Sequence, residues 1–328
     1  MNEYYVAWWN LENLFARFDD PSRTDKLQRV LGKELKGWTQ AVLDRKLAQL
    51  VSIIARMNDG RGPDLLGVCE VESEGVLEQL VAAIDLPSRS YKVVHADTKD
   101  ARGIDVAFLY DSSRLKTKAS EVFNHFILRR NATRDLLQVS FYTKPAGNRL
   151  VVIGNHWPSR LGGEHASEPY RILAAETLAY WHERIHEVLA AEESEPAVLV
   201  LGDFNDEPFN RSLVEYGLAE RIPDRVKSKR SKKPYFLNLM WPLTGKGEGT
   251  HYYEGQPGML DQILAGRNLL RSESPLQLVS DSVQILRFPE HVSKGEPVRF
   301  GRPSEKKTFN TNGFSDHLPV CVRIRENV

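Results

Sequence analysis

The chain has 328 residues, 41% of them hydrophobic and 27% charged, and its 44 Lys and Arg balance its 44 Asp and Glu. A chain this long buries roughly three quarters of its unfolded surface and needs no disulfides to hold a core. The zero balance excludes a uniformly basic nucleic-acid coat and an acidic tail protein, and leaves room for a local basic patch. Cys69 and Cys321 lie far apart, with no CxxC pair and no zinc-ribbon spacing, and are expected as buried thiols. No apolar run approaches the roughly 20 residues that span a bilayer. Met1 to Asn10 lacks the basic and then apolar pattern of a secretory leader. A reduced, cytoplasmic protein is expected, with no membrane contact and no obligate protein partner.

In chain order, Tyr4–Trp9 reads as a strand. Thr39 can cap a helix running to about Met57, with Leu43, Leu47, Leu50, Ile54 and Met57 spaced by three and four. Asn58-Asp59-Gly60 ends it. A short apolar strand over Leu65–Cys69 precedes a helix over Gly75–Ile84. Strands are predicted over Tyr91–His95, Ile104–Tyr110, Val122–Leu128, Leu136–Thr143 and Leu150–Asn155. Ser167, with Pro169 just after it, opens the longest helix, which runs through Leu189. Strands over Ala197–Leu201, Leu260–Leu264 and Leu318–Ile324 complete the pattern. Residues 17–38, 222–258 and 286–315, rich in Gly, Pro, Ser and charge, read as long loops, which in a compact domain are commonly functional or disordered.

Polar groups gather where these strands end. Val200-Leu201-Gly202 runs into Asp203-Phe204-Asn205. At a period of two both polar side chains share a face and could hold and orient a water, although a turn explains the pair equally well. Glu70 directly follows an apolar strand, where a carboxylate is costly unless paired or metal-bound. Trp8-Trp9-Asn10-Leu11-Glu12, Asn155-His156-Trp157-Pro158-Ser159-Arg160, Leu260-Asp261-Gln262 and Ser315-Asp316-His317-Leu318 repeat the arrangement. Strand ends on one edge of an α/β sandwich converge on one cleft. Oxygen-rich donors without cysteine select Mg²⁺, Mn²⁺ or Ca²⁺ over zinc.

WWNLENLF, VCEVE, GIDVAFLY, NHWPSR, LGDFND, MLDQIL and FSDHLPV, in this order between residues 8 and 320, resemble the endonuclease/exonuclease/phosphatase superfamily. Single motifs are weak; GDxN and SDH in this order are strong together. NHWPSR followed by Gly162-Gly163-Glu164 is most similar to the bacterial nuclease-like members. The resemblance implies an α/β four-layer sandwich, two packed mixed β-sheets flanked by helices, with residues 1–328 as one domain because the first and last motifs build one site.

The resemblance also implies roles. Glu70 becomes the principal metal ligand, with Asn10, Glu12 and Asp316 holding the metal, Mg²⁺ or Mn²⁺, or its waters. Asp203 and Asn205 activate and orient the attacking water. His317, paired with Asp261, stabilises charge on the phosphoryl oxygens. His156 donates to the phosphate or the leaving oxygen, and Arg160 and Arg134 are weaker phosphate candidates. Glu12 stands where repair endonucleases have an aspartate, and His156 where they have a tyrosine, which places the chain toward the deoxyribonuclease-like branch. Since Mg²⁺ polarises water less than zinc does, a separate carboxylate base is expected; sequence leaves Asp203 and His156 both open for that part.

Arg225–Lys233 carries six basic residues in nine, including Lys229, Arg230, Lys232 and Lys233, with Tyr235, Phe236 and Trp241 close behind. Such a run is ordinarily a solvated loop; beside a phosphodiester-directed motif set it is read as a nucleic-acid contact with aromatic stacking. The Trp8-Trp9 pair is assigned to the core, and His182 and His186 to a solvated helix face. The reading is a metal-dependent nuclease acting on DNA. Its rivals are a small-molecule phosphoesterase on a phosphosugar, nucleotide or lipid headgroup, and a non-catalytic binding module.

Overall fold

The computed structural model describes residues 2–100, 102–129, 133–191, 196–228, 230–231, 233–303 and 309–327. Its main elements are β1 (Asn2–Leu14), α1 (Asp25–Leu31), α2 (Gln40–Ile54), β2 (Leu65–Val71), α3 (Glu74–Ala83), β3 (Tyr91–His95) and β4 (Asp105–Asp111). Then come β5 (Val122–His125), β6 (Leu136–Thr143), β7 (Arg149–His156), α4 (Glu164–Ala191) and β8 (Ala197–Asp203). The series ends with β9 (Phe236–Asn238), β10 (Asp261–Gly266), β11 (Leu276–Leu278) and β12 (Val320–Glu326).

Among the described residues, one sheet orders its main strands β11-β12-β1-β2-β4-β3. The other orders them β9-β10-β8-β7-β6, with short edge segments beyond β9 and β6. Each sheet is mixed: β1 and β2 are parallel, as are β7 and β8, while β12, β4, β6 and β10 flank them antiparallel.

The strand period of two sorts the side chains into layers. Tyr4, Val6 and Trp8 enter the core between the sheets with Phe108, Phe141, Val152, Leu199, Ile263 and Val322. Tyr5, Ala7 and Trp9 face outward against Leu47 and Leu50 of α2 and Leu77 of α3. On the second sheet Val151, Ile153, Val198 and Val200 pack against Ala174, Leu178 and Ile185 of α4. Both sheets are therefore covered on both faces, which is why their central strands read as continuous apolar runs. Gly67 is required by this packing, because a Cβ there would lie 2.6 Å from the Trp8 ring.

Most predicted elements fall in place, and the differences have local causes. Thr24 accepts from the Leu27 N–H and opens α1 inside the segment read as a loop. Asn58 and Asp59 take φ of 54° and 58° and stop the helical path after α2. α4 starts at Glu164, ahead of the expected cap: Ser167 Oγ donates back to Gly163 O at 2.7 Å, and Pro169 sits inside the helix. His182 is not on a solvated face. It is fully buried and stacked 3.7 Å from the Phe236 ring, and burial holds it well below the usual imidazole range. Cys69 and Cys321 are free, buried thiols. Among the described residues no helix is long and apolar enough to cross a membrane.

Candidate active site

The C-terminal ends of the two parallel pairs meet. β1 and β2 bring Asn10 and Glu70; β7 and β8 bring His156 and Asp203, which are register neighbours. β10 runs antiparallel to β8 and sets Asp261 opposite Asp203. Asp316 and His317 arrive on the segment that enters β12. Regular strand geometry ends here: Glu12, Asn13, Glu70 and Asn205 have φ of 50°, 59°, 60° and 50°. Left-handed backbone costs a non-glycine residue about 1–2 kcal/mol, and such outliers cluster at functional sites. Asn205 therefore does not follow Asp203 at the strand period.

Asp203 is the centre of the cluster and is almost fully buried. Asn10 Nδ2 donates to its Oδ2 at 3.1 Å and the Asn205 N–H to its Oδ1 at 3.0 Å. Nε2 of His156 lies 3.7 Å from Oδ2, and Nε2 of His317 3.9 Å. Burial pushes the Asp203 carboxyl up to about 7; His317 opposes this, while the carboxylates of Asp261 and Glu70 add to it. The Asn205 side-chain amide donates to Trp157 O at 3.0 Å, bracing the loop after β7.

His317 Nδ1 and Asp261 Oδ2 are 2.6 Å apart. Burial opposes charge on this imidazole, but Asp261 and Asp203 outweigh it and hold His317 well above the usual range. Asp261 is itself fixed: Trp8 Nε1 donates to its Oδ1 at 3.1 Å, and Thr250 Oγ1 accepts the Asp261 N–H at 2.9 Å. Trp9 Nε1 donates to His317 O at 2.9 Å. The two tryptophans, core residues by sequence, thus also hold the two partners of one pair from opposite faces of β1.

His156 is the contrary case. Burial, then Arg134 and Arg102, hold it well below the usual range, so it is neutral. It sits 3.6 Å from Glu70 Oε1, and its Nδ1 is buried without a hydrogen-bond partner. His251 packs 4.7 Å from the His317 ring, and burial pushes it down to about 3.

Glu70 accepts from the Asn13 N–H at 3.1 Å and is part-exposed, as is Asp316. Burial raises Asp316 above the usual carboxylate range, and Glu70 adds to the rise. Glu12 is engaged elsewhere: it accepts from Arg299 Nε at 2.9 Å and from the Phe300 N–H at 2.8 Å. Arg299 also reaches Asp316 at 3.3 Å. Behind them Lys46 is fully buried, donates to Phe314 O at 2.5 Å, and is pushed down to about 8 by burial against the pull of Glu12, Asp316 and Glu70. Asp203, Asp261 and His317 offer donor atoms within 4.8 Å of one another and could hold a metal ion.

The phosphate candidates separate. Arg134 is buried beside the cluster, with Nη2 on Trp157 O at 2.7 Å and Nη1 3.4 Å from Asp100. Arg160 is held by Asn205 O at 2.8 Å, Asn210 at 3.1 Å and Asp206 at 3.2 Å. Asp206 also pairs with Arg171 of α4 at 2.8 Å, tying the longest helix to the loop after β8. Arg230 and Lys233 are exposed and are not brought to the cluster; Lys229 and Lys232 lie outside the described residues. Phe236 pairs with Gly266, the end of β10 opposite Asp261, so about five residues or roughly 17 Å of strand separate the two. Phe236 is fully buried, which withdraws it from base stacking.

Sequence reasoning passes over Trp8, Thr250, Lys46, Arg299 and Arg102. Lys46 alone has a visible signal: it lies three residues from Leu43 and four from Leu50, on the apolar face of α2, where an unpaired ammonium is costly.

Two packed mixed sheets flanked by helices, with polar groups gathered at their strand ends, frame this site. The chain belongs to the Endonuclease/Exonuclease/phosphatase family, whose profile matches residues 5–326, and whose members hydrolyse phosphoester bonds. No curated protein matches it in sequence. Its fold is similar to an endonuclease/exonuclease/phosphatase family protein of Bacteroides thetaiotaomicron (14% identity, TM-score 0.56, covering 100% of this chain and 96% of that one). It is also similar to the human Nocturnin catalytic domain solved with a bound sulfate anion (16%, 0.54, 99% and 94%). A third likeness is to a mannosyl-6-phosphatase of Bacteroides thetaiotaomicron (15%, 0.54, 98% and 99%).

Proposed function

We propose that the chain is a divalent-cation-dependent phosphodiester hydrolase acting on nucleic acid, with DNA as the substrate, through attack of a water deprotonated by Asp203. The observation that carries this reading is the clamped Asp203 carboxylate. Asn10 and the Asn205 N–H fix its direction, and its elevated pKa suits a group that takes and returns a proton near neutral pH. His317, charged by Asp261, donates to a phosphoryl oxygen and stabilises the negative charge that grows there. Neutral His156 lines the same cleft as an uncharged donor.

The residues fit a hard cation. Glu70 and Asp316 are part-exposed oxygen donors, and the negative charge of Glu70 helps to raise the proton affinity of Asp316, a repulsion that a cation relieves. His317 already spends Nδ1 on Asp261, so Glu70 and Asp316, supported by Asn10, would hold the ion rather than the Asp203-Asp261-His317 group. Glu12, locked to Arg299 and Phe300, is assigned to positioning rather than to ligation. A bound Mg²⁺ or Mn²⁺ supplies charge neutralisation at the phosphoryl group.

A small-molecule phosphoester is the second reading, favoured by the roughly 17 Å of strand between Asp261 and Gly266, the partner of Phe236. One panel tests both: plasmid, single-stranded DNA, RNA and a small chromogenic phosphodiester, each with Mg²⁺, Mn²⁺ or EDTA. Metal-dependent cleavage of DNA is expected. Full activity after exhaustive chelation overturns the metal assignment, and turnover confined to small esters overturns the nucleic-acid assignment.

A further inference from the structure

Beside the cluster, beyond the Trp157-Pro158 turn, lies a cavity of about 350 Å³ lined by Arg102, Arg129, Arg134, Ser159, Ser167 and Tyr170, among others. It shares a wall with the catalytic cleft, since Trp157 O accepts both from Arg134 Nη2 at 2.7 Å and from Asn205 Nδ2 at 3.0 Å. Three guanidinium groups converge on it. Arg129 is stacked 3.9 Å from the Tyr170 ring, which fixes its plane. Arg134 is more than nine-tenths buried, and its Nε, like that of Arg129, is buried with no hydrogen-bond partner. Two acids face these arginines: Asp100, which accepts from the Arg102 N–H at 2.8 Å and lies 3.4 Å from Arg134, and Glu70, which acts on Arg102. Among the described residues, these two carboxylates do not balance three arginines.

We propose that this cavity binds a second phosphoryl group of the substrate, next to the one being hydrolysed, so that the preferred substrate carries two phosphates. Planar guanidinium forks match phosphate oxygens in geometry as well as charge. Burial, with Arg134 and Arg302 nearby, holds Arg102 below the usual arginine range; Glu70 and Asp100 only partly offset this, and a bound dianion relieves it. The scissile phosphate occupies the Asp203–His317 side of Trp157 and the second phosphate the Arg129 side. This inference rests on the phosphodiesterase reading and names its substrate class. The second phosphate is either the next internal linkage of a polynucleotide or a terminal monoester on a doubly phosphorylated small molecule.

Calorimetric titration separates the cavity from the chemistry. Thymidine 5′-monophosphate, thymidine 3′,5′-bisphosphate and a dithymidine dinucleotide bearing one terminal phosphate are titrated into the wild type and the Arg129→Gln and Arg129→Lys variants. The wild type is expected to bind the bisphosphate at least about tenfold tighter than the monophosphate. Arg129→Gln should bring that ratio close to one, and Arg129→Lys should keep part of it. Arg129→Gln should also leave turnover of a small one-phosphate diester unchanged. Preference for the bisphosphate alone assigns the cavity to terminal phosphates; equal preference for the dinucleotide assigns it to a polynucleotide. Equal affinity for mono- and bisphosphate in the wild type, or a ratio unaffected by Arg129→Gln, overturns the proposal. Absence of diester turnover by the wild type overturns the catalytic reading instead, and the binding ratios then decide the role of the cavity on their own.

Discussion

Asp261→Asn is the sharpest single change available at this site. The amide keeps the carboxylate's shape and its Oδ1 still accepts from Trp8, so the variant should fold. Its NH₂ group, however, faces His317 Nδ1, 2.6 Å away in the wild type, and a donor there demands an unprotonated Nδ1. The substitution removes a buried, charge-assisted hydrogen bond, which contributes about 1.5–3 kcal/mol. If that energy acts only on the transition state, kcat falls about 10- to 150-fold, taking 1.36 kcal/mol per decade. The pH dependence carries a second signature. His317 is held well above 6.5 in the fold, so its charge persists through neutral pH and is lost as pH rises through the raised value. Loss of that charge should give the wild type an alkaline limb, and Asp261→Asn should move that limb to lower pH. The same linkage gives the pair a stabilising contribution that is full below about 6.5 and declines as pH rises through the folded value. Melting temperatures of both forms across that range should diverge at low pH and converge at high pH. A variant with wild-type kcat at pH 7, or with its alkaline limb unmoved, would refute the reasoning.

Asp203→Asn removes the proton acceptor and should cost about 10²–10⁴-fold in turnover, with loss of the acidic limb that the wild type shows as Asp203 deprotonates on the way up to about 7; stopped assays from pH 5 to 9 read both. Glu12→Gln takes from buried Lys46 the largest of the three acidic charges that act on it, leaving Asp316 and Glu70, and weakens the Arg299 clamp; it should destabilise the fold by about 1–3 kcal/mol, measured by denaturant titration. Changing Lys229, Arg230, Lys232 and Lys233 to Ser should leave hydrolysis of a small phosphodiester unchanged. If that loop touches DNA, the change should also flatten the log–log salt dependence of DNA binding by up to about three units; identical slopes remove the loop from binding.

The fold is legible in the sequence because the apolar strands are long and both faces of the sheets are covered; Tyr4 to Trp9 announces a buried strand with no competing pattern. The convergence of Asn10, Glu70, His156, Asp203, Asp261 and His317 is legible for a related reason: each stands where an apolar strand stops or, for Asp261 and His317, begins. What the sequence withholds is partnership. Glu12 looks like Glu70 in sequence, yet a left-handed backbone turns it toward Arg299, some 287 positions away. Trp8 and Thr250 reveal nothing of their bonds to Asp261 until β1 and β10 are packed in different sheets. Chain order between two motifs carries no information about which end of the sheet a loop occupies, so the sequence does not say how far the basic run lies from Asp261. His182 is misread because the second apolar face of α4, against Phe236, is not apparent without β9.

The pairing of β1 with β12 bears on how the chain comes to be active in a cell. Asn2 and Glu326 are hydrogen-bonded across 324 positions, and β12 inserts between β1 and β11. On the ribosome, the edge of β1 that pairs with β12 therefore stays open until the residues of β12 have emerged, and an open strand edge is prone to aggregation. Pairing at this sequence distance also makes for slow closure. His317 precedes β12 by only two residues, so the imidazolium reaches Asp261 with the strand that seals the sheet. The His317–Asp261 pair therefore forms only with the completion of the fold.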